Sequence, residues 1–258
     1  MFSANYYRLE LTNDDLRSLD ADLAALVIAT SFAVNEIAGL NKLMVAANAP
    51  KPSDDDGLKL HMAQCALVQR CLLIRVYEYL RLISDTYDLL RKKKNDDSAT
   101  TRNVLAKEIK QVRRLRSGKA YKTAELIRNK LTGHIDLGFI KETLQRRKGA
   151  QKYEAIIHET QGNSLYLFAE DLAFMGLLGR EDQGPTLSTE ETIARYEGLT
   201  DWLLEASRAC VDMHYSFLTI AVVDQLPHLM LEQVWVPIDE DRIGTLATDY
   251  LPIYWKTP

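Results

Sequence analysis

Residues 13–47 read NDDLRSLDADLAALVIATSFAVNEIAGLNKLMVAA. Positions spaced alternately by three and four are apolar apart from one threonine: Leu16, Leu19, Leu23, Leu26, Thr30, Ala33, Ile37, Leu40 and Met44. This spacing is typical of a helix that packs along one stripe in a bundle. Thr12 is a capping residue, and two aspartates follow it at the positive helix end. We predict one uninterrupted helix of about 50 Å from Thr12 to about Asn48, because Pro50 and Pro52 prevent its continuation.

A second long helix is predicted to begin after Ser53 and the three aspartates that follow it. Its apolar stripe is Met62, Cys65, Gln69, Leu72, Val76, Tyr79, Ile83, Thr86 and Leu90. It runs into the cations of residues 91–94, which suit the negative helix end. Two long helices joined by a short loop that contains proline should lie antiparallel.

Shorter helices are predicted in the middle of the chain. The first covers Thr101 to Leu115 and ends at Ser117-Gly118. Its inward residues are Val104, Leu105, Ile109 and Val112, and its outward residues are Lys107, Lys110, Arg113 and Arg114. The next begins near Lys119 and weakens at Gly133. Asp136 can cap a further helix that reaches about Lys148.

The C-terminal region is predicted to be mostly helical. Residues 153–160 look helical, and residues 163–178 are either a short strand (164–168) followed by a helical turn or one helix. Ser188-Thr189-Glu190-Glu191 opens a long helix that ends before Pro227, and an extended tail follows. We therefore expect an all-α antiparallel bundle: a helical domain over residues 1–160, and a C-terminal helical extension with an extended tail over residues 161–258.

Composition indicates a soluble intracellular protein. The chain has 258 residues, of which 47% are hydrophobic and 26% charged, as in ordinary globular proteins. Cys65 and Cys71 lie in an apolar helical pattern that favours small buried thiols, and together with Cys210 they form no disulfide framework. The sequence shows no signal peptide, and its apolar stretches are broken before membrane-spanning length. We expect a cytoplasmic protein that does not bind membranes.

Charge is distributed very unevenly along the chain. Between Arg91 and Lys152 there are 19 Lys or Arg and 6 Asp or Glu, a net charge of +13, whereas the remainder has 13 basic and 30 acidic residues and carries −17. A basic block in an acidic protein predicts an anionic partner, with RNA or DNA first. The alternative is a solvated helix face that the acidic flanks neutralise.

Several classes of enzyme find no support in the sequence. Carboxylate-bridged metal sites in bundles use Glu-x-x-His pairs, and the chain has none. The zinc signature His-Glu-x-x-His, the phosphate loop, Gly-x-Gly-x-x-Gly and Gly-x-Ser-x-Gly are absent too. We therefore predict no metal and no cofactor.

The stretch Arg128-Asn129-Lys130-Leu131-Thr132-Gly133-His134 lies within the basic block. It resembles the Arg-x(4–6)-His signature of the HEPN family, and the order of the helices that precede it agrees loosely. HEPN domains are helical bundles found in toxin, abortive-infection and RNA-processing proteins. The resemblance implies an RNA-binding protein and a metal-independent endoribonuclease, whose arginine and histidine act in a groove between the two subunits of a homodimer.

The residue types suit cleavage by the RNA 2′-hydroxyl. His134 titrates near neutrality and can move a proton, and the planar fork of Arg128 can hold the phosphorane charge. Asn129 could orient a phosphate or the imidazole, and Asp136 could orient His134. For phosphate contacts the basic block offers Arg113, Arg114, Arg116, Lys119, Lys122 and Lys130.

Other interpretations stay open. In an unbroken α-helix Arg128 and His134 would lie roughly 120° apart, with His134 on the buried face beside Leu131. The chain would then be a non-enzymatic helical interaction protein with the fold but without the chemistry. A third interpretation is a toxin-like subunit silenced by a nucleotidyltransferase or antitoxin protein. Arg208 and His214 also fit the signature, but they lie in a smooth helical pattern and are interpreted as coincidence.

Overall fold

The computed structural model describes residues 2–47, 55–92, 99–132, 136–146, 155, 166–180, 187–223, 225–229 and 232–238. Helices make up most of this part of the chain, which confirms a predominantly helical fold. They are α1 (Asn13–Ser18), α2 (Ala21–Ala47), α3 (Asp55–Lys92), α4 (Ala99–Arg116), α5 (Lys119–Ile127), α6 (Leu137–Arg146), α7 (Leu167–Ala169), α8 (Gly176–Leu178) and α9 (Thr189–Leu218). The π-helical segments are Arg128–Thr132 after α5, Glu170–Met175 after α7 and Thr219–Val223 after α9.

Helix α3 is the centre of the bundle. Its 38 residues span about 57 Å, and α2, α4, α5 and α9 all pack against it. Its fully buried side chains include Leu72, Leu73, Val76, Tyr79 and Leu80. Leu72, Val76 and Tyr79 belong to the predicted stripe, because residues three and four apart share one helix face. Leu73 and Leu80 were not predicted, and they widen the buried face.

Helices α2 and α3 run antiparallel, as predicted. The Cys65 thiol near the start of α3 donates to the Ala47 carbonyl at the end of α2, with 3.1 Å between sulfur and oxygen. Further along, Arg75 pairs with Glu36, 3.1 Å between Nη2 and Oε1. Residue numbers therefore rise along α3 as they fall along α2.

Helix α9 belongs to the same core as α2 and α3. Leu203, Ala206 and Cys210 are buried in one hydrophobic cluster with Leu23 and Leu72. The Trp202 indole also donates to the last turn of α4. The predicted domain boundary at residue 160 lies outside the described residues, and helices on both sides of it contribute to one core.

The prediction of one uninterrupted first helix is wrong, because the structure has two helices there. The capping box of Thr12 and Asp15 starts a helix where expected, but α1 ends at Ser18 and Leu19 has an extended backbone. Asp20 then accepts a hydrogen bond from the Leu23 amide, 3.0 Å from Oδ1 to nitrogen. A second N-cap thus restarts the chain as α2, and α2 alone is about 40 Å long.

Two predicted inward residues of α3 face solvent. Met62 is 63% exposed, and Cys71 is exposed too. Cys71 lies outside the predicted stripe, next to the buried Leu72. A strict 3.5-residue repeat drifts around a straight α-helix by about 20° per heptad, so the stripe leaves the core at Met62, towards the start of α3. Leu60 and Ala63 are buried near that end instead. The three cysteines are free thiols, as predicted.

A two-stranded sheet was not predicted. β1 (Phe2–Arg8) pairs with β2 (Glu232–Ile238) in antiparallel register, with Phe2 opposite Ile238 and Arg8 opposite Glu232. The strands are far apart in sequence, so no hairpin turn signals their pairing. The sheet adds two strands to a predominantly helical chain, and β2 takes up part of the predicted tail.

The structure also bears on the region before α9. Residues Leu167–Leu178 are helical throughout, so the strand alternative for residues 164–168 is wrong where it overlaps them. Residues 163–165 lie outside the described residues, as does the helix predicted at 153–160 apart from residue 155. Helix α9 begins with a capping box of Ser188 and Glu191, as the sequence predicted.

Helix α2 is long and apolar enough to cross a membrane by length and composition. This differs from the expectation that polar residues interrupt every such stretch. Length and composition do not make α2 a membrane span, because the core helix of a folded domain has the same character. Here α2 packs against α3 and α9.

Shortening a buried side chain of α3 should lower the stability of the fold. Leu72 is fully buried, so Leu72→Ala should lower the free energy of unfolding by about 2–5 kcal/mol. The matched control is Leu67→Ala on the same helix, where the side chain is 54% exposed, and its effect should stay within about 0.5 kcal/mol. Equal losses in urea unfolding would contradict the central place of α3.

Candidate functional site

The chain changes helix type at the predicted arginine. α-Helical hydrogen bonding ends at Ile127, and Arg128–Thr132 is π-helical. The Thr132 hydroxyl donates to the carbonyls of Ile127 and Arg128, at 3.4 and 3.1 Å. π-Helical turns bond i to i+5 and are frequent at functional sites. The α-helical rotation of about 100° per residue therefore does not apply over Arg128–Thr132.

The Arg128 side chain is held by two acceptors. Nε donates to Glu78 Oε1 at 2.9 Å, and Nη1 donates to Asn129 Oδ1 at 3.0 Å. Side chains 128 and 78 are 36% and 37% exposed. Glu78 belongs to α3, so the pair joins the π-helical segment to the central helix. The remaining guanidinium N–H groups have no partner within the described residues, which leaves an oriented cation with free donors.

Lys130 and Asp136 link the π-helical segment to the start of α6. The backbone N–H of Asp136 donates to the Lys130 carbonyl at 3.0 Å, and Lys130 Nζ lies 2.6 Å from Asp136 Oδ2. Asp136 Oδ1 accepts the Phe139 amide at 3.0 Å, which confirms the predicted cap of α6. The Lys130 hydrogen bond, followed by the Phe139 amide, lowers the pKa of Asp136. Both carboxylate oxygens are thus engaged.

His134, the predicted proton carrier, lies outside the described residues, as does Gly133. The second match to the signature, Arg208 and His214, lies within the described residues. Helix α9 is continuous through Arg208 and His214, and the imidazole of His214 hydrogen-bonds to the hydroxyls of Thr30 and Ser31, at 3.2 and 3.3 Å. Burial lowers the pKa of His214. It is a packing histidine, as predicted.

The residues predicted to contact phosphates are mostly engaged with acids. Four of the six form ion pairs: Arg113 with Asp88, Arg114 with Glu205, Arg116 with Asp85, and Lys130 with Asp136. Lys119 and Lys122 are exposed and have no ion pair within the described part of the chain. Surface pairs of this kind contribute about 0–1 kcal/mol each, so a phosphate could replace the acid at small cost.

Glu78 is the site residue that the sequence did not reveal. It lies between Tyr77 and Tyr79, 50 residues before the arginine that it binds. A carboxylate on the polar side of a helix has no local pattern that names its partner. The sequence shows only an acid on the predicted polar side of α3. That this acid lies opposite a cation becomes apparent only once the helices are packed.

No three His, Cys, Asp or Glu side chains come together as a metal site among the residues that the structure describes. Comparison with models of protein families, with curated proteins and with solved structures finds no match to this chain.

The ion pair between Lys130 and Asp136 should make the free energy of unfolding depend on pH. The pKa of Asp136 is lower in the folded state than its ordinary value of 3.8, so the stabilisation is present above about pH 4 and is lost as pH falls through the folded pKa. Asp136→Asn keeps a good N-cap but removes the charge. Its melting temperature should fall below that of the wild type at pH 6 and converge with it towards pH 2.5.

A second variant separates the cap from the charge. Asp136→Ala loses both and should remain less stable than the wild type at acid pH. If thermal unfolding shows the same difference between wild type and Asp136→Asn at every pH, the ion pair with Lys130 contributes nothing.

Proposed function

We propose that the protein binds RNA and cleaves it without a metal ion, at a HEPN-like site formed by Arg128, Asn129 and His134. The observation that supports this best is the oriented guanidinium of Arg128. It is partly exposed, fixed by Glu78 and Asn129, and has further N–H donors without a partner among the described residues. A cation already in place where negative charge develops needs no reorganisation during the reaction.

The proposed reaction is transesterification within the RNA strand. The 2′-oxygen attacks the neighbouring phosphorus as its proton is removed, and the 5′-oxygen leaves with a proton, so the products are a 2′,3′-cyclic phosphate and a 5′-hydroxyl. His134 moves the protons because its ordinary pKa is near neutrality. Arg128 holds the equatorial phosphorane oxygens. Glu78 positions the guanidinium, and Asp136, bound to Lys130 and Phe139, links the π-helical segment to the start of α6.

Partners are part of the same proposal. The HEPN resemblance suggests a homodimer whose two subunits both contribute to the groove, and an antitoxin protein as a regulator. RNA would contact Lys119 and Lys122 first, because their ammonium groups have no acid to displace within the described residues. Arg113, Arg114, Arg116 and Lys130 would exchange a carboxylate for a phosphate.

A second function is favoured by a specific observation. The arginines of the basic block bind acids on α3 and α9, as they would if their role were to hold the helices together. Under this alternative the chain is a non-enzymatic helical interaction protein, and Arg128 only attaches α5 to α3. Activity and stability of the Arg128 variants separate the two.

Cleavage should depend on the fork of Arg128. In EDTA, with a single-stranded RNA substrate, Arg128→Ala and His134→Ala should each lower the rate by about 10²-fold or more. Arg128→Lys keeps the charge but loses the bidentate geometry and should recover only part of the rate. The matched control, Arg208→Ala from the second match to the signature, should cleave like the wild type. Equal rates for Arg128→Ala and Arg208→Ala would leave the interaction protein as the better account.

Binding should weaken with salt. Each phosphate contact on a single strand contributes about 0.7 to the slope of log affinity against log salt, so Lys119→Ala with Lys122→Ala should reduce the slope by about 1.4. Lys42→Ala, an exposed lysine of α2 outside the basic block, should leave it unchanged. Fluorescence anisotropy between 50 and 300 mM salt measures both. A slope that ignores the double variant would exclude these lysines as phosphate contacts.

A further inference from the structure

A cavity of about 290 Å³ lies between α6, α8 and the start of α9. Its lining includes two cations, one acid and three apolar residues: Arg146, Arg180, Asp171, Met175, Leu187 and Ile193. The volume is close to the lower end of the range for small-molecule sites, about 300–1,000 Å³. None of these residues takes part in the proposed RNA site, so the cavity is a separate feature of the fold.

The walls of the cavity are held by contacts with the core. One wall is the π-helical segment after α7, where the Arg70 guanidinium on α3 binds the Glu170 carboxylate through two hydrogen bonds and lies 5.1 Å from the centroid of the Phe174 ring. Gly176 lets α8 approach α6 closely, since a Cβ at this position would come within 2.6 Å of Thr143 Cγ2. The cavity is therefore part of the packed structure, as small-molecule sites usually are.

Arg180 is a cation in the cavity wall whose hydrogen bonding is incomplete. Its side chain is 15% exposed, Nη2 donates to Glu142 Oε2 at 3.0 Å, and the guanidinium lies 5.2 Å from the centroid of the Phe139 ring. Nη1 is buried and has no acceptor among the residues that the structure describes. A buried donor without an acceptor costs free energy. Because the side chain lines the cavity, a small rotation of the guanidinium would bring Nη1 to a ligand oxygen.

The charges around the cavity favour a ligand with one negative charge. Arg146 and Arg180 are balanced by Asp171 in the lining and by Glu142, which binds Arg180. A carboxylate would leave a net charge of about −1, whereas a phosphate dianion would leave about −2. The N-terminal end of α9 contributes Thr189 to the lining, and the partial positive charge of a helix N-terminus suits a single anion.

We propose that this cavity binds a small aliphatic carboxylate, with its charged group at Arg180 and its hydrocarbon part against Met175, Leu187 and Ile193. Hydrogen bonds between a guanidinium and a carboxylate are among the strong ones, and burial of the hydrocarbon part adds hydrophobic free energy. For a ligand of about eight non-hydrogen atoms we expect a dissociation constant on the order of 0.1–1 mM. The inference does not depend on RNA binding or cleavage.

Titration with hexanoate, followed through the backbone amide NMR signals, tests the site. Hexanoate should shift the signals of Gly176, Gly179 and Thr189, which line the cavity, and leave those of α2 unchanged. Hexanamide has nearly the same shape without the charge, and it should bind at least about tenfold more weakly. Inorganic phosphate should bind more weakly than hexanoate too.

Two variants test the cavity and its cation separately. Ile193→Trp fills the cavity from α9, where the side chain is 49% exposed, and should abolish the shifts. Val211→Trp is the matched control, because it lies on the same helix, is 36% exposed and does not line the cavity. Arg180→Gln keeps a donor for Glu142 without the charge, and it should weaken hexanoate at least about tenfold while the affinity for hexanamide stays the same. A purely structural role of Arg180 would lower both affinities alike.

Three results would overturn the proposal: no shift of the lining signals at about 20 mM hexanoate, equal binding by Ile193→Trp and Val211→Trp, or equal affinities for hexanoate and hexanamide. If Arg180→Gln does not fold, the comparison of the two tryptophan variants still decides whether hexanoate occupies this cavity. Tighter binding of inorganic phosphate than of hexanoate would make the cavity a phosphate site, and the assignment to a carboxylate would be wrong.

Discussion

The burial of α3 on several sides is the constraint from which the rest of the architecture follows. A helix with a wide apolar face needs neighbours along the whole of that face, and α2, α4, α5 and α9 supply them. Leu72, Leu80 and Tyr79 cannot face water without a large loss of hydrophobic free energy. Elements far apart in sequence are therefore brought to one axis, and α9 is as much a part of the bundle as α2.

The solvent-exposed side of α3 carries acids that pair with the basic segments around it. Glu78, Asp85 and Asp88 lie seven and three residues apart, so they share one side of the helix. They meet Arg128, Arg116 and Arg113 from the neighbouring segments. The excess positive charge between residues 91 and 152 is thus partly balanced within the fold. Any anionic partner competes with carboxylates already in place. Lys119 and Lys122 at the start of α5, which form no ion pair with the residues that the structure describes, are the least hindered contacts.

The sequence predicts those features of the fold whose signals act over a short distance along the chain. Capping residues act within one turn, so the starts at Thr12, Asp136 and Ser188 were found correctly. The same local chemistry at Asp20 was overlooked, because the regular apolar spacing across Leu19 outweighed it. The pairing of β1 with β2 depends on the whole intervening chain, and no local pattern in either strand encodes its partner.

At the candidate site, too, local patterns were predicted and contacts made by packing were missed. Arg128 and Asn129 were predicted as site residues because they belong to a short pattern within one segment. Glu78 was not, since its relation to Arg128 arises from the packing of α3 against α5. The π-helical geometry after Ile127 was also missed, because the residues of that turn are ordinary helix formers. The prediction of six phosphate-binding residues from charge alone took no account of the acids that face four of them.

The β1–β2 pairing also sets an order on how the molecule comes together during synthesis. β1 leaves the ribosome first among the described elements, and its partner β2 leaves last. All the helices between them can collapse onto α3 while β1 still lacks its partner. Contacts between such distant segments close slowly, since the entropy of a long loop must be overcome. During that interval the edge of β1 is open to pairing with other chains, so the last step of folding is also the one most exposed to misassembly.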